Sequence, residues 1–429
     1  MRETIRNLIK DKRVLILGYG REGQSSFRLI DEVGGYAALD IADANKLSAA
    51  VPDNHLVIAG PEYLGCINQY DVVLKSPGIV LPRAFDSYSA YITCQADLFL
   101  QVYGKQTIGI TGTKGKSTTS SLLYHVLKES GLDVIFGGNI GIPVLDMIDS
   151  IQENTIVVFE LSCHQLEYVR YSCHKAILLN LYEDHLDHYG TVEKYWNAKK
   201  NLYRKQTAID TLYVNPDFIP AKGDCPSDVI TPNISELPFS SWSDIKGCML
   251  RGTHNMLNAA FVYKVASSLG VSDADFMSAL ATFKTLAHRL EYLGQVDGVD
   301  YYDDSISTTV ESAISAVNAI DNASILLLGG MDRGIDYDPL VDFIVESKLD
   351  LIILMYDSGH VLEEKLCNCA GPAFMDRIHY IHDLKDACAY AKQKAQPGKA
   401  VILSPAAASY GVFKNFEERG DRFKEYIFD

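Results

Sequence analysis

The chain has no apolar run that approaches the ~20 residues a helix needs to span a bilayer. Its first residues, 1–13, carry many charges and lack the apolar core of a signal peptide. From these two absences we expect a cytoplasmic protein that makes no contact with a membrane.

Basic residues are also scarce. Lys and Arg number 39 against 55 Asp and Glu, so the formal net charge is -16. Because proteins that bind nucleic acid need a basic surface, we expect no nucleic-acid partner. The negative net charge does not exclude an anionic small-molecule ligand. A few Lys or Arg side chains in one cleft can make the local electrostatic potential positive.

Cysteine is limited to nine scattered residues, of which Cys367 and Cys369 form the one close pair. With no second pair to complete a metal site, we interpret them as reduced structural thiols. The hydrophobic content of 47% and charged content of 22% are those of a globular protein. A length of 429 residues predicts about three domains.

The most informative stretch is G-I-T-G-T-K-G-K-S-T-T-S at residues 109–120. It follows an apolar, strand-like run at 107–110 and precedes a run with helical spacing at 118–128. Such a turn binds phosphate, because backbone N–H groups of the turn and the helix N-terminus point at the anion. The sequence predicts that Lys116 reaches the outer phosphates and that the Ser117 hydroxyl binds Mg²⁺. Ile110 replaces the first glycine of the general pattern, so the loop is a variant.

A second glycine turn, G-Y-G-R-E-G at 18–23, follows a strand-like run at 14–17. A further apolar stretch at 36–39 ends at Asp40, so this β-α-β pattern fits a dinucleotide site or another nucleotide site. Ser76 lies in a turn after a later strand-like run at 71–74. Ligands of open α/β sheets bind at such strand ends.

Acidic residues and histidines follow the strands downstream of the phosphate loop. Glu160 ends a strand-like run at 155–159, where an acid can hold Mg²⁺ directly or through water. Residues 183–188 read E-D-H-L-D-H, and two histidines could indicate zinc. They are spaced i, i+3 with no thiolate nearby, so a Mg²⁺ site with one imidazole ligand, His185, suits the context better. By spacing alone, Lys199 is a surface lysine beside Lys200.

Motifs along the whole chain, in this order, resemble those of the Mur ligases: G-T-K-G-K-S-T (112–118), G-G-N-I-G-I-P (137–143), E-L-S-C-H-Q-L-E (160–167), N-L-Y-E-D-H-L-D-H-Y (180–189), Y-W-N-A-K (195–199), G-T-H-N-M-L-N (252–258), H-R-L-E (288–291), D-D-S-I-S-T-T (303–309), L-L-G-G (327–330), S-P-A-A-A-S (404–409) and F-K-N-F-E-E-R-G (413–420). The resemblance implies an α/β protein of three domains. These are a Rossmann-like UDP-binding domain at 1–100, a central ATP-binding P-loop domain at 101–285, and a C-terminal Rossmann-like amino-acid-binding domain at 286–429.

The resemblance also implies an activity and its cofactors. ATP phosphorylates a carboxylate to an acyl phosphate, which an amine attacks to form an amide in a peptidoglycan precursor. The last motifs are most similar to the branch that adds glutamate, in its D form, to UDP-N-acetylmuramoyl-L-alanine. Such enzymes support cell wall biogenesis, cell shape and cell division. We expect a monomer that uses ATP and Mg²⁺.

Site residues follow from the matched motifs. The resemblance gives catalytic roles to Lys116, His185 and Lys199, and it makes Lys199 a carbamylated lysine near the second Mg²⁺. Metal ligands are then Ser117, Glu160, His185 and Lys199. The expected ATP contacts are Gly112, Thr113, Gly115, Lys116, Ser117, Thr118, Asn255, Asn258, Arg289 and Asp304. Substrate contacts are Gly18, Gly20, Asp40 and Ser76 for UDP, Asn139, Ser162, Gln165 and His185 for the muramoyl-alanine end, and Thr308, Arg333, Ser409 and Phe416 for glutamate.

Departures from the family pattern cluster around the amino-acid pocket. Ile306 replaces a lysine, Thr309 an asparagine, Arg333 a second lysine and Gly411 an aspartate. Ligation of L-glutamate or another amino acid is therefore an alternative, as is a folate-polyglutamate-type ligase, which shares the loop variant. Two other classes of protein explain less of the sequence. A dinucleotide-dependent oxidoreductase would account for the first glycine turn but not for the P-loop. A P-loop regulatory or motor ATPase would account for the P-loop but not for the first domain.

Overall fold

The computed structural model describes residues 1–47, 51–139, 142–284, 287–369 and 372–429. In these ranges the chain is an α/β protein whose strands form three sheets. It divides into two compact units, Met1–Ser240 with Leu257–Leu280, and Ser241–Met256 with Ala281–Asp429. The predicted α/β class is confirmed.

The first sheet of the first unit is parallel and has the strand order β3-β2-β1-β4-β5 in the described residues. Its strands are apolar and buried at the centre, because helices and loops cover both faces of a parallel sheet. Its elements are α1 (Arg2–Ile9), β1 (Arg13–Leu17), α2 (Arg21–Val33), β2 (Ala38–Asp43), β3 (Val57–Ala59), β4 (Val72–Lys75), β5 (Tyr91–Thr93) and α3 (Gln95–Tyr103).

The second sheet of this unit is also parallel, with the described strands in the order β11-β10-β9-β6-β8-β7. The phosphate loop lies between its central strand and the helix that follows. Its elements are β6 (Thr107–Thr111), α4 (Lys116–Glu129), β7 (Val134–Gly138), β8 (Ile156–Glu160), α5 (Cys163–Leu166), β9 (Lys175–Leu178), α6 (Leu186–Tyr189), α7 (Val192–Lys200), β10 (Thr211–Val214), β11 (Asp228–Ile230), α8 (Thr253–Ser268) and α9 (Asp273–Thr282).

One apolar core joins the two sheets of the first unit. It runs from Val14 and Ile16 of β1 through Phe99 of α3 to Phe159 of β8 and Leu178 of β9. Burial of this continuous apolar surface, at about 25 cal/mol per Å², is the main force that holds the two sheets as one body.

The second unit contains the third sheet, with described strands in the order β12-β13-β17-β14-β15-β16. β12 pairs antiparallel with β13, and the other neighbours are parallel. Apolar cores cover both faces of the sheet. Its elements are β12 (Glu291–Val296), β13 (Val299–Asp303), α10 (Val310–Asn318), β14 (Ala323–Gly329), α11 (Asp338–Glu346), β15 (Leu351–Met355), α12 (Tyr356–Cys369), α13 (Pro372–Met375), β16 (Ile378–Tyr380), α14 (Leu384–Lys394), β17 (Ala400–Leu403) and α15 (Phe416–Phe428).

The division into three domains stays a prediction. Most of the first two predicted domains lies in one compact unit, but Ser241–Met256 and the residues from Ala281 onward belong to the other. The boundary predicted at residue 100 falls within α3. The boundary at 285/286 lies outside the described residues, as do residues 140–141 of the G-G-N-I-G-I-P motif. Among the described helices, none has both the length and the apolar character required to cross a bilayer.

Candidate active site

The phosphate loop is held by the end of a neighbouring strand. Asn180 follows β9, and its side-chain oxygen accepts the backbone N–H groups of Thr113 at 2.9 Å and Lys114 at 2.8 Å. Its amide nitrogen donates to the Lys114 carbonyl at 3.0 Å. Gly115 caps α4 at φ 85, a left-handed conformation that favours glycine. The predicted strand–loop–helix arrangement is therefore present, with a defined loop conformation.

Two lysines converge on one carbonyl oxygen of this loop. Lys116 Nζ donates to the Gly112 oxygen at 2.9 Å and to the Thr113 oxygen at 3.0 Å. Lys199 Nζ, from α7, donates to the same Gly112 oxygen at 2.7 Å. The interpretation of Lys199 as a surface lysine is wrong, because its side chain is only 1% exposed.

The surroundings of Lys199 disfavour its charged form. Burial is the main cause and the Lys116 ammonium a second, and together they lower the pKa of Lys199 to about 7. The Tyr195 ring lies 4.8 Å from Lys199 Nζ, and the Tyr195 hydroxyl donates to the Thr113 hydroxyl at 3.1 Å. An amine that loses its proton near neutral pH is a competent nucleophile for small electrophiles such as CO₂.

Glu160 lies fully buried at the carboxyl end of β8, next to β6 in the sheet. One carboxylate oxygen accepts from the Asn139 amide at 2.8 Å and the other from the Ser120 hydroxyl at 3.1 Å. Ser117 is buried in the first turn of α4, less than one turn before Ser120. Carboxylate and hydroxyl oxygens are ligands that Mg²⁺ prefers, so this donor set fits the predicted ion.

The acid- and histidine-rich turn forms a cluster of imidazoles. His185 has φ 52, and its ring centroid lies 4.9 Å from that of His164 on α5. The His188 ring centroid lies 4.4 Å from that of His164. Burial, followed by the neighbouring imidazoles, lowers the pKa of His164 to about 4. Cys163 Sγ lies 3.6 Å from His164 Nδ1, and burial raises the pKa of this thiol, which favours its protonated form over a thiolate.

Ser162 and Gln165 link the two sheets of the first unit. The Ser162 hydroxyl and the Gln165 side chain form a capping box at the start of α5. The Gln165 amide donates to the Glu22 carboxylate of α2 at 2.5 Å, and burial raises the pKa of Glu22. This contact places Gln165 beside the first glycine turn, on the side predicted to bind the UDP-sugar.

The first glycine turn has a backbone conformation at Gly18 that favours glycine. Gly18 has φ 89, and a Cβ there would crowd Ser76, whose hydroxyl donates to the Gly18 carbonyl at 2.9 Å. The open space around Gly20 leaves its backbone accessible. Two of the predicted UDP contacts, Gly18 and Ser76, therefore touch one another, and all three residues lie at one end of the sheet.

The predicted position of Asp40 is wrong. β2 continues to Asp43, so Asp40 lies inside the strand, and its carboxylate accepts from Leu56 N–H at 3.0 Å and Tyr70 hydroxyl at 2.8 Å. Asp43 instead ends β2, and it accepts the backbone N–H of Tyr19, inside the glycine turn, at 2.8 Å. A second acid three residues downstream of Asp40 was the signal that sequence analysis missed.

The remaining predicted ATP contacts are divided between the units. Asn258 lies in the first unit, and its side-chain amide is close to Gly115 of the phosphate loop. A side chain at position 115 would collide with this amide. Asn255, Arg289 and Asp304 lie in the second unit.

The second unit holds Arg289 and Asp304 in a constrained loop. The residues on either side of Arg289, His288 and Leu290, have φ 61 and 44. Within the described ranges, the buried Nε of Arg289 has no hydrogen-bond partner. Burial raises the pKa of Asp304 to about 6, although Ser307, Ser404 and Leu290 all donate hydrogen bonds to its carboxylate. A strained loop with an orphaned guanidinium nitrogen fits an anionic ligand.

The predicted amino-acid pocket is partly assembled within the second unit. Arg333 Nη2 donates to the Thr308 carbonyl at 3.0 Å, and Ser409 is buried next to the bridge between Met331 and Ala408. The Phe416 carbonyl accepts from the Ser305 hydroxyl at 2.8 Å. Three of the four predicted residues thus lie on loops, and Phe416 begins α15. These segments contact one another through the hydrogen bonds above and the Met331–Ala408 bridge.

Sequence analysis missed a central residue of this region, Arg419. Its guanidinium is 1% exposed and donates to the Ser305 hydroxyl, the Ser305 carbonyl and the Ala407 carbonyl at 3.0, 2.7 and 3.1 Å. It therefore ties the start of α15 to the loop after β13 and to the loop after β17. A buried arginine inside an otherwise charged helix has no distinct signal in a single sequence.

The sequence and the fold are similar to those of known proteins. Residues 110–222 match the family described as Mur ligase middle domain, and residues 288–407 match the Mur ligase glutamate ligase domain. The UDP-N-acetylmuramoylalanine–D-glutamate ligase of Acetivibrio thermocellus is 31% identical, over 98% of this chain and 97% of the relative. That of Geobacillus kaustophilus is 31% identical over 96% of each.

Solved structures show the same fold. A MurF ligase from Thermotoga maritima in complex with ADP has a TM-score of 0.60 at 16% identity, covering 98% of this chain and 95% of that one. The MurC ligase of Thermotoga maritima has a TM-score of 0.57 at 18% identity, covering 96% and 98%. The chain belongs to the Mur ligase family. It is an ATP-dependent ligase.

Proposed function

We propose that this ligase joins glutamate, in its D form, to UDP-N-acetylmuramoyl-L-alanine during peptidoglycan precursor synthesis. The observation that carries the proposal is the similarity, over nearly the whole chain, to ligases named for that reaction. The pocket supports it, because Arg333 offers a permanent cation beside Thr308, suited to a carboxylate of glutamate.

In the proposed reaction the carboxylate of the alanyl end receives the γ-phosphoryl group of ATP. The acyl phosphate is then attacked by the amine of glutamate, and phosphate leaves as the amide forms. Lys116 and the loop N–H groups bind the nucleotide phosphates and offset the charge that develops during transfer. The buried carboxylate of Glu160 and the Ser117 hydroxyl would hold Mg²⁺, with His185 as a further ligand. The ion supplies charge neutralisation at the phosphates.

We also propose that Lys199 carries a carbamate. Its burial against the loop and its lowered pKa support this role, since CO₂ reacts with an unprotonated amine. The carbamate converts a buried cation, which faces the Lys116 ammonium, into an anion. It then supplies a further oxygen ligand for Mg²⁺ and an opposite charge for Lys116.

The proposal extends to the cellular setting. An enzyme that uses ATP and a UDP-sugar acts in the cytoplasm, and its product is used in cell wall biogenesis, cell shape and cell division. We propose that it acts as a monomer. The contacts of Asn255, Arg289 and Asp304 with ATP remain predictions.

A second candidate is ligation of L-glutamate. The substitutions at Ile306 and Arg333 motivate it, because they change the number and shape of the cations at the acceptor pocket and so alter how the acceptor is held. Thr309, by contrast, keeps a helix-capping role, since its hydroxyl accepts Ser312 N–H at the start of α10. Gly411 has φ 92, a conformation that disfavours the aspartate usual in the family.

The test is phosphate release by the purified enzyme with each co-substrate omitted in turn. We expect release only when ATP, UDP-N-acetylmuramoyl-L-alanine and glutamate are all present, and binding of UDP but not NAD by calorimetry. Release with ATP alone would show an ATPase. Activity with a folate in place of the UDP-sugar would show a folate-type ligase.

A further inference from the structure

Asn180 holds successive peptide groups of the phosphate loop from one side. Its side-chain oxygen accepts the N–H groups of Thr113 at 2.9 Å and Lys114 at 2.8 Å, and its backbone carbonyl accepts the Thr113 N–H at 3.1 Å. Its side-chain amide also donates to the Lys114 carbonyl at 3.0 Å. One asparagine therefore bonds three polar backbone groups of the loop, yet the proposed reaction gives it no role.

Two lysines hold the same peptide groups from the other side. Lys116 Nζ donates to the carbonyl oxygens of Gly112 and Thr113 at 2.9 and 3.0 Å. Lys199 Nζ donates to the Gly112 oxygen at 2.7 Å. The described peptide groups are trans, so their C=O and N–H bonds point in opposite directions. By binding the N–H that follows the Gly112 carbonyl, Asn180 therefore directs that carbonyl at both lysines.

The loop has little room for another conformation. A Cβ placed on Gly112 would lie 2.9 Å from Leu179 Cβ. The Thr113 hydroxyl accepts hydrogen bonds from the Tyr182 N–H at 3.0 Å and the Tyr195 hydroxyl at 3.1 Å. The hydroxyl and the N–H of Thr113 are thus both bonded within the protein. Phosphate binding then falls to the N–H groups of later loop residues and of the first turn of α4.

Removal of the Asn180 side chain takes the acceptor away from the Lys114 N–H and the nearer acceptor away from the Thr113 N–H. Backbone N–H groups that lose a partner turn toward another acceptor or toward water, because an unpaired group is costly. Such a rotation turns the carbonyl of the same peptide group away from the lysines. A displacement of about 1 Å at a reacting group can lower a rate about 10²-fold.

We propose that Asn180 is a positioning residue for phosphoryl transfer, which acts through the Gly112 and Thr113 carbonyl groups on Lys116 and Lys199. It holds Lys116 for the nucleotide phosphates and Lys199 for its carbamate. The Lys199 half rests on the proposed function; a carbamylated lysine keeps one N–H that can donate to the Gly112 carbonyl. The Lys116 half rests only on the use of ATP, and it is measured without UDP-sugar or glutamate.

The experiment compares three variants of the full-length enzyme. Asn180→Leu removes the acceptor at nearly constant side-chain size. Asn180→Asp keeps an acceptor for both N–H groups but adds a negative charge. Asn215→Leu is the matched control, because Asn215 follows β10, the neighbour of β9, and its side chain accepts the Asp217 N–H at 3.1 Å within its own turn.

Asn180→Leu should lower kcat for phosphate release at least about tenfold and weaken the binding of ATP with Mg²⁺, measured by calorimetry, at least about tenfold. Asn180→Asp should restore kcat to within about fivefold of wild type. Its ATP affinity should stay reduced, because a carboxylate repels the phosphates. Asn215→Leu should match wild type in both measurements.

Two further measurements separate positioning from a general loss of structure. Circular dichroism checks the fold, and calorimetry with UDP should give the wild-type affinity for all variants. Mass spectrometry at one bicarbonate concentration should show less trapped carbamate on Lys199 in Asn180→Leu than in wild type.

The proposal is overturned if folded Asn180→Leu protein has the kcat and the ATP affinity of wild type, or if Asn180→Asp is no more active than Asn180→Leu. A parallel loss of UDP affinity would also overturn it, since it would show a general structural role. Equal carbamate on Lys199 in both proteins would overturn the Lys199 half. If wild type forms no carbamate or no glutamate product, the proposed function fails, and the ATP affinities still decide the Lys116 half.

Discussion

The Gly112 carbonyl oxygen accepts hydrogen bonds from both Lys116 and Lys199. One carbonyl cannot neutralise two ammonium groups, and this crowding contributes to the lowered pKa of Lys199. An anion near the loop relieves the repulsion. The phosphates of ATP and a carbamate on Lys199 are the two anions that the proposed function supplies.

Lys116→Ala should abolish turnover and leave the fold intact. The lost charge is needed mainly as the phosphoryl group transfers, so we expect phosphate release to fall on the order of 10²–10³-fold or more. Lys114→Ala, which removes an exposed lysine of the same loop, should have a far smaller effect. Wild-type rates from a folded Lys116→Ala protein would contradict the assignment.

Lys199→Ala should lose ligase activity, and short carboxylic acids should restore part of it by replacing the missing anion. The neighbouring Lys200→Ala is the matched control and should remain active. Mass spectrometry of wild-type protein, trapped in the presence of bicarbonate, should show the added CO₂ on Lys199. An active Lys199→Ala enzyme would rule out a carbamate role.

Arg333→Ala should raise the glutamate KM and lower kcat/KM by a factor of roughly ten or more, the loss expected for a charged hydrogen bond of ~1.5–3 kcal/mol. The ATP KM should change little. Arg422→Ala is the control, because that exposed arginine of α15 pairs with Glu425. Unchanged glutamate kinetics in Arg333→Ala would remove Arg333 from the pocket.

At the scale of elements, the stability of the turn from β1 to α2 depends on a close approach between two parts of its backbone. A Cβ on Gly23 would overlap the Gly18 carbonyl oxygen, whereas one on Gly20 meets nothing within 4 Å. Gly23→Ala should therefore lower the free energy of unfolding by about 1–3 kcal/mol. Gly20→Ala should change it by less than about 1 kcal/mol. Urea denaturation of both variants measures the difference, and equal stabilities would contradict this packing.

Local patterns predicted some elements better than others. The strand ending at Leu17 and the loop before Lys116 were found because apolar runs lead directly into glycine turns. β2 was placed too early, because Ile41 and Ala42 continue an apolar stretch through Asp40, whose charge suggested an end. A buried carboxylate bonded to Tyr70 and Leu56 is a tertiary feature that periodicity does not reveal.

At the scale of the whole molecule, the three sheets match the three predicted α/β regions, but the first two share one core. Motif resemblance assigned a role to Lys199, which spacing alone placed on the surface and which is buried against the phosphate loop. Motif resemblance and residue spacing did not reveal the contacts of Arg419 or those of His164 with His185 and His188. Each of these contacts joins residues that are far apart in sequence. Long-range contacts of this kind become visible only when the strands are assembled.

The most direct test of the account is a panel of D- and L-amino acids supplied with ATP and UDP-N-acetylmuramoyl-L-alanine. The product is identified by mass spectrometry, and phosphate is measured in parallel. We predict a UDP-N-acetylmuramoyl-alanyl-glutamate product from D-glutamate, with one phosphate released per amide bond. A product from L-glutamate alone would reverse the predicted stereochemistry, and no product from either enantiomer would contradict the proposed function.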